Sequence, residues 1–197
     1  TALYKLHVTP AARYSEDTDL VQADAAPIGP VMSALRARLD PWLGKPRRER
    51  TASAVRLVYR FQSELPPTTP LRLKVEINTR EHLHVMPIDR RPFASGSRWC
   101  TGRAPVGTYA LEEILGTKLR ALYQRKKGRD LFDLATALER VPSLARASVV
   151  ECFHRYLAHG GQRISRAEFE GNLAAKLGDP AFLGDIGPLL APGVRDA

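Results

Sequence analysis

Two runs of alternating residues, 55–61 and 71–77, restrict the fold of this chain more than any other feature. In each run apolar side chains occupy every second position and mostly polar ones lie between them. A period of two residues is typical of a strand with one buried face. The segment that joins the runs, SELPPTTP, has the composition of a turn. The pattern therefore predicts two neighbouring strands of one sheet.

Helical patterns surround these strands. A short helix is predicted over residues 1–8, ended by Pro10, then a strand over DTDLVQA and a helix over 29–43 that Pro41 disturbs. Residues 86–108, rich in Pro, Gly, Ser and Arg, are predicted to form a long irregular connection. After Tyr109 only helices are predicted, over these ranges: 111–123, 130–140, 144–157, 165–177 and a short segment near Phe182.

This order of elements predicts an α+β fold, with a mixed-sheet α/β subdomain over residues 1–100 and a helical bundle over residues 101–197. With 197 residues, 44% hydrophobic and 26% charged, the composition is that of a globular protein. No apolar run approaches the length of a membrane helix, and we expect a cytoplasmic protein without a membrane partner. Cys100 and Cys152 match no metal-ligand spacing and are expected to be free thiols.

The charge balance favours polyanionic partners. Thirty Lys and Arg against 21 Asp and Glu give a formal net charge of +9. Cations placed near phosphates release condensed counterions, which favours binding of nucleic acid. The signal is weak alone, because many basic proteins bind none.

Asp17 and Asp19 form the first candidate site. In a strand, residues i and i+2 point to the same face, so the two carboxylates are expected side by side. Adjacent carboxylates repel each other unless a cation lies between them. Mg²⁺ prefers carboxylate oxygens combined with substrate phosphates. The alternative is an acidic turn exposed to water.

Glu76 strengthens the metal hypothesis. It lies on the polar face of the run 71–77, with Arg72 and Lys74 on the same face. A third carboxylate on a neighbouring strand is what a site for two metal ions needs, and one such group can help to deprotonate an attacking hydroxyl. The alternative is a solvent-facing strand with Lys–Glu pairing.

Lys118 is the third candidate. On a helix it falls within the apolar stripe of Leu111, Ile114, Leu115 and Leu122, and Arg125 lies at the edge of that stripe. A buried lysine is costly unless it is paired or reaches a phosphate, although its stem could also pack while the ammonium reaches water. Asp130 is predicted within reach of such a cation, and Asp133 is predicted to pair with a nearby one.

Three stretches together resemble the AbiEii-type (AbiEii/AbiGii) toxins of abortive-infection and toxin–antitoxin systems, within the DNA polymerase β-like nucleotidyltransferase superfamily. Thr1-Ala2-Leu3 matches the end of the family's Gly-Gly-Thr-Ala-Leu stretch. Arg13-Tyr14-Ser15-Glu16-Asp17-Thr18-Asp19-Leu20 matches the family's metal motif. The third match comprises Lys118-Leu119-Arg120-Ala121-Leu122, Arg125 and Arg129-Asp130-Leu131-Phe132-Asp133-Leu134. The likeness covers residues 1 to about 140.

The resemblance implies a polymerase β-like core whose N-terminal strand and glycine loop are missing from this sequence. It implies Asp17 and Asp19 as Mg²⁺ ligands, with two ions expected, and functional roles for Lys118 and Asp130. It suggests that Thr1, Ser15, Lys118 and Arg125 contact a nucleoside triphosphate. Glu76 is assigned to the metal and catalytic site from strand geometry. Expected partners are the triphosphate, an RNA acceptor such as tRNA, and a cognate antitoxin.

Several alternatives stay open at this point. A non-catalytic RNA-binding domain would use the basic surface alone, and a protein-interaction domain would show no nucleotide-dependent stabilisation. Within catalysis, the acceptor could be a protein rather than RNA, or the transfer could be kinase-like.

Overall fold

Four strands form a mixed sheet in the computed structural model, and they are β1 (Asp17–Val21), β2 (Arg47–Arg50), β3 (Ala54–Gln62) and β4 (Pro70–Asn78). Their order across the sheet is β1-β4-β3-β2. β1 runs parallel to β4, whereas β4, β3 and β2 are antiparallel. The two predicted alternating strands are confirmed as the neighbours β3 and β4.

One face of this sheet is covered by helix α1 (Gly29–Leu43). Met32 and Leu43 of α1 pack against a buried cluster from β3 and β4: Val55, Leu57, Tyr59, Val75 and Ile77. Because side chains alternate along a strand, burying these residues turns their neighbours to the opposite face. That opposite face therefore receives the polar residues of β3 and β4.

The edge strand β2 has no counterpart among the predicted elements. Its sequence, Arg-Arg-Glu-Arg, has no alternation of apolar and polar residues. It pairs with β3 through backbone hydrogen bonds, and three of its four side chains are exposed. An edge strand needs no buried face of its own, so hydrophobic periodicity cannot detect it.

The structure describes residues 2–15, 17–97 and 100–191, which divide into two compact units. The sheet unit comprises Ser15–Leu83, and the helical unit comprises Ala2–Tyr14 with the described part of His84–Ala197. The α+β class with a mixed sheet is confirmed. The predicted subdomain boundary at residue 100 stays a prediction, since the units reflect compactness rather than independent folding.

The described part of the helical unit contains five α-helices, which are α2 (Leu111–Gln124), α3 (Gly128–Arg140), α4 (Arg146–His159), α5 (Arg166–Leu177) and α6 (Pro180–Gly184). They confirm the helices predicted after Tyr109. The first predicted helix is a π-helical segment, Leu3–His7, whose Leu3 and Tyr4 join the core around Leu115 and Phe182. None of the described helices is long and apolar enough to cross a bilayer. Cys100 and Cys152 are free thiols, as predicted.

The predicted irregular connection over residues 86–108 is wrong. This segment contains a hairpin of β5 (Asp89–Gly96) and β6 (Thr101–Thr108), which pair antiparallel. Pro92 lies opposite Pro105. In a two-stranded sheet both strands are edges, so a proline can lie where its missing N–H would point away from the partner strand. Proline indicates a loop in most sequences, but an isolated hairpin tolerates it.

Gly116 marks the closest approach of α2 to α4. A Cβ atom at this position would lie 2.6 Å from the Cβ of Cys152 and 3.0 Å from the backbone nitrogen of Phe153. One neighbour is a Cβ atom and the other is a backbone atom of α4, and neither can move unless the helix itself shifts. The absence of a side chain at Gly116 therefore sets the distance between these two helices.

We expect Gly116→Ala to lower the free energy of unfolding by about 1–3 kcal/mol, the usual cost of overpacking a core. Gly171→Ala is the matched control. Gly171 lies in α5, and a Cβ atom added there would have no other atom within 4 Å, so alanine should stabilise the helix by up to about 1 kcal/mol. Urea denaturation followed by circular dichroism measures both. Equal effects at the two positions would contradict the close packing of α2 on α4.

Candidate active site

The parallel pairing of β1 with β4 brings the predicted carboxylates together. Asp19 is in register with Glu76, and Asp17 is in register with Lys74. Residues in register on adjacent strands share a face, and so do residues two apart on one strand. Asp17, Asp19, Lys74 and Glu76 therefore occupy the sheet face opposite α1, which we call the carboxylate face.

Lys74 lies between two of these carboxylates. Its Nζ is 2.9 Å from Oδ2 of Asp17 and 3.1 Å from Oε2 of Glu76. Burial alone would lower the pKa of Lys74, but the hydrogen bonds and charges of Asp17 and Glu76 outweigh that effect and raise it. The lysine thus supplies a positive charge at the point where two carboxylates would otherwise repel each other.

Arg56 also binds Glu76. Its Nε donates to Oε2 at 2.8 Å, and one of its terminal nitrogens donates to Oε1 at 3.1 Å. The hydrogen bonds from Arg56 are the main reason that the pKa of Glu76 is lowered. Glu76 is therefore held as an anion with both oxygens engaged, which makes it a weak proton acceptor.

No group of three or more His, Cys, Asp and Glu side chains is placed to hold a metal ion among residues 2–15, 17–97 and 100–191. Asp17 and Asp19 share the carboxylate face, Asp17 half-buried and Asp19 exposed. Glu76 shares that face, but its oxygens point to Arg56 and Lys74. Its predicted role as a metal ligand and catalytic group stays a prediction.

Ser15 and Thr1 are the two predicted nucleotide contacts near the N-terminus. The hydroxyl of Ser15 donates to the backbone oxygen of Asp17, the first residue of β1, at 3.3 Å. This bond helps to shape the entry into the strand and is a local ST-type contact. Thr1 lies outside the described residues, so its predicted contact with a triphosphate stays a prediction.

Lys118, Arg125 and Asp130 meet Arg13 and Asp133 in the helical unit. We call this group the buried ion-pair cluster, because its two carboxylates are buried, although the Arg125 side chain is 52% exposed. Asp130 and Asp133 have no exposed surface. The Nζ of Lys118 is 2.6 Å from Oδ2 of Asp133 and 3.9 Å from Oδ1 of Asp130. Pairing with carboxylates thus accounts for a lysine in the apolar stripe of α2, and the predicted partnership of Asp133 with a cation is confirmed.

Two arginines complete the buried ion-pair cluster. Arg13 donates from Nε and from a terminal nitrogen to the two oxygens of Asp133, each at 2.6 Å. Arg125 binds Asp130 in the same two-pronged way, at 2.7 and 2.9 Å. Such bidentate pairs are the strong form of charged hydrogen bond. They satisfy the fully buried carboxylates, which would otherwise be costly.

The family comparison agrees with these motifs. A protein-family model described as nucleotidyl transferase AbiEii toxin, type IV TA system, matches residues 1–193. The chain belongs to this family. No match was found among curated proteins or among solved structures. Membership in a family of nucleotidyltransferase toxins is therefore established by the family model.

In this AbiEii chain the motif residues divide into two settings. On the carboxylate face Asp19 is exposed and Asp17 is half-buried, whereas Asp130 and Asp133 are fully buried. Lys118 is 17% exposed and already paired. The catalytic role predicted for Lys118 and Asp130, and the nucleotide contact predicted for Arg125, stay predictions, because these side chains also hold α2 and α3 together.

Sequence reasoning misses two contributors and one contact in this AbiEii chain. Arg13 stands out only as the first residue of a motif, and its partner Asp133 lies 120 positions away. Arg56 stands out only as a polar residue of a strand. Lys74 is predicted to share a face with Glu76, but its contact with Asp17 depends on the parallel pairing of β1, which no local pattern encodes.

We expect Asp133→Asn to destabilise the protein by about 3–5 kcal/mol near neutral pH, because it leaves Arg13 and Lys118 without their buried partner. Burial opposes ionisation of Asp133, but Arg13 and Lys118 outweigh it and hold the pKa below the ordinary value of 3.8. A carboxylate whose pKa is lower in the folded protein than in the unfolded chain stabilises the folded state at pH values above the unfolded-state pKa. This stabilisation is lost as the pH falls through the folded-state pKa.

Wild type should therefore lose stability below about pH 4, and Asp133→Asn should lose less over the same range. Urea denaturation at a series of pH values measures the difference. Glu139→Gln, an exposed change on the same helix, is the matched control and should follow wild type. If Asp133→Asn lost as much stability as wild type below about pH 4, the ion pairs of Asp133 would not govern stability in acid.

Proposed function

We propose that this chain is a Mg²⁺-dependent nucleotidyltransferase that moves a nucleoside monophosphate from a triphosphate to an RNA hydroxyl, with tRNA as the first acceptor to test. The observation that carries the proposal is the placement of Asp17 and Asp19 side by side on an accessible sheet face, next to Lys74 and Glu76. The family description supports the reaction class.

The donor set fits a hard divalent cation. Asp17 and Asp19 offer carboxylate oxygens on one face, and Asp19 is exposed. Mg²⁺ needs few protein ligands, because substrate phosphates and water complete its coordination. A second Mg²⁺, which the family resemblance predicts, would require Glu76 to exchange Arg56 or Lys74 for the metal. A first ion requires Asp17 to exchange Lys74 for the metal at Oδ2, and a second ion requires a further exchange at Glu76.

The reaction is an in-line displacement. An acceptor hydroxyl attacks the α-phosphorus, the bond from that phosphorus to the bridging oxygen of pyrophosphate breaks, and the hydroxyl proton passes to a base. Bound Mg²⁺ would supply charge neutralisation at the phosphates. The contribution of the protein is positioning and electrostatic stabilisation. Lys74 is placed to balance charge on the carboxylate face as phosphates enter.

The partners proposed for this chain follow from charge and family. A net charge of +9 favours a polyanionic acceptor. The family description places its members in type IV toxin–antitoxin systems, so we propose a cognate antitoxin as the protein partner. The proposed biological role is the toxin of such a system.

A non-catalytic role is the second candidate, and a specific observation favours it. Lys74 and Arg56 already compensate Asp17 and Glu76 without any metal. An RNA-binding or protein-interaction domain would need nothing more. Transfer to a protein acceptor is a variant of the catalytic proposal, since the metal ligands do not distinguish between acceptor hydroxyls.

We expect Asp17→Asn and Asp19→Asn each to reduce transfer of labelled nucleotide by at least about 100-fold, because each removes charge that holds the metal and orients phosphate. The assay follows incorporation from each of the four labelled triphosphates into a tRNA pool and into total protein, with Mg²⁺. Mn²⁺ binding measured by electron paramagnetic resonance provides a readout that is independent of turnover and should weaken in both variants.

Asp24→Asn is the matched control, because Asp24 is an exposed aspartate of the same unit outside the strands. It should keep both transfer and Mn²⁺ binding. Thermal unfolding checks that all three variants remain folded. Full transfer activity in the Asp17 and Asp19 variants would sink the catalytic proposal, and labelling of protein alone would redirect it to a protein acceptor.

Lys74→Met tests whether the carboxylate face accepts a divalent cation. Without the ammonium, Asp17 and Glu76 face each other uncompensated, so we expect a loss of roughly 1 kcal/mol in metal-free buffer. Mg²⁺ should restore more stability than it gives wild type, because a ligand of the folded state stabilises it in proportion to RT ln(1 + [L]/Kd). Thermal unfolding with and without Mg²⁺ measures this.

Lys45→Met removes an exposed lysine in the loop after α1 and serves as control. Its Mg²⁺ response should match that of wild type. If the stability of Lys74→Met did not depend on Mg²⁺, the carboxylate face would not be a cation site. That result would favour the non-catalytic function.

A further inference from the structure

Two arginines face each other across β3 and β4. Arg60 is in register with Arg72 in the antiparallel pair, and both side chains are exposed. Like charges directly opposite each other destabilise a strand pair. Within the part of the chain that the structure describes, neither arginine is paired with a carboxylate. This arrangement favours binding of an anion between the two guanidinium groups.

The arginine pair lies on the carboxylate face. In the antiparallel pairing, Arg56 lies opposite Glu76 and Val58 lies opposite Lys74. Two residues further along β3, Arg60 lies opposite Arg72 and therefore on the same face of the sheet. With a rise of about 3.3 Å per residue, Arg72 lies about 7 Å along β4 from Lys74 and about 13 Å from Glu76. An arginine side chain and a phosphate chain can together span such a distance.

The charge of the face changes sign along the strands. At one end Asp17, Asp19 and Glu76 outnumber their cationic partners Lys74 and Arg56. At the other end Arg60 and Arg72 have no balancing carboxylate among the described residues. A metal–phosphate ligand has the complementary pattern, with a cation at one end and phosphate oxygens extending from it.

We propose that Arg60 and Arg72 form a phosphate-binding subsite on the same sheet face as Asp17 and Asp19. Guanidinium groups present a planar fork that matches phosphate oxygens. The ligand class is the phosphate group, supplied either by the polyphosphate of the nucleotide or by the backbone of the RNA acceptor. The assignment of these two sources rests on the proposed function, whereas phosphate binding itself requires no catalysis.

The test compares the double variant Arg60→Gln/Arg72→Gln with the double control Arg38→Gln/Lys45→Gln, both in the full chain. The control removes the same charge from exposed positions of the same unit, on α1 and in the loop that follows it. The probes are inorganic tripolyphosphate with Mg²⁺ and a fluorescently labelled short single-stranded RNA. Calorimetry and fluorescence anisotropy measure binding over a series of salt concentrations, and circular dichroism confirms folding.

We expect the double variant to bind at least one probe roughly 10- to 100-fold more weakly, in line with the loss of charged bidentate contacts. For RNA, the slope of log K against log salt should fall by about 0.7 per lost phosphate contact. Loss of tripolyphosphate binding alone would assign the subsite to the nucleotide, and loss of RNA binding alone would assign it to the acceptor. Both results support a phosphate subsite.

If the double variant bound both probes as well as the double control, the subsite would be overturned. This outcome is separable from failure of the proposed function, because neither probe undergoes turnover. An inactive wild type whose RNA binding depends on Arg60 and Arg72 would contradict the enzyme and keep the subsite. An active wild type, together with unchanged binding in the double variant, would support the enzyme and overturn the subsite.

Discussion

The arrangement of charged groups in the sheet unit depends on one constraint, the parallel register of β1 on β4. This register places Asp17 beside Lys74 and Asp19 beside Glu76. A shift by one residue would turn β1 over and send its carboxylates to the face that α1 covers, away from Lys74 and Arg56. With the observed register, the Nζ of Lys74 lies 2.9 Å from Asp17 and 3.1 Å from Glu76. Charge compensation and strand pairing therefore favour the same alignment.

The two charged groups of the protein differ in burial, and this difference separates their roles. On the carboxylate face, Asp17, Lys74 and Glu76 keep 21–24% of their side-chain surface exposed, so their partners can exchange with ions and phosphates from solution at moderate cost. In the buried ion-pair cluster, Asp130 and Asp133 are inaccessible, so removing an arginine leaves the buried carboxylate that it binds poorly compensated. Loss of activity on changing the cluster can thus reflect lost stability, whereas a change on the carboxylate face reports more directly on the chemistry.

Local periodicity predicts β3, β4 and the helices after Tyr109, because each buries one face and shows it as a repeat of apolar residues. It cannot predict β2, three of whose four residues are exposed, or β5, whose half-buried positions alternate but are mostly polar. Neither strand leaves a repeat of apolar residues. The same limit applies to the candidate site. Asp17 and Asp19 share a face by strand geometry alone, but the fork of Arg56 on Glu76 and the pair of Arg13 with Asp133 join residues 20 and 120 positions apart.

Alternation on β4 gives the carboxylate face its polarity. Every second residue of the strand turns toward this face, in the order Arg72, Lys74, Glu76. The middle residue binds the carboxylates on one side, while Arg72 lies opposite a second arginine on the other. For the proposed metal–nucleotide complex, the charges of this face would favour the metal at Asp17 and Asp19, with the more distant phosphates extending toward the arginines. In the proposed reaction this direction places the α-phosphorus nearest the carboxylates, so one alternating strand would orient the nucleotide as well as bind it.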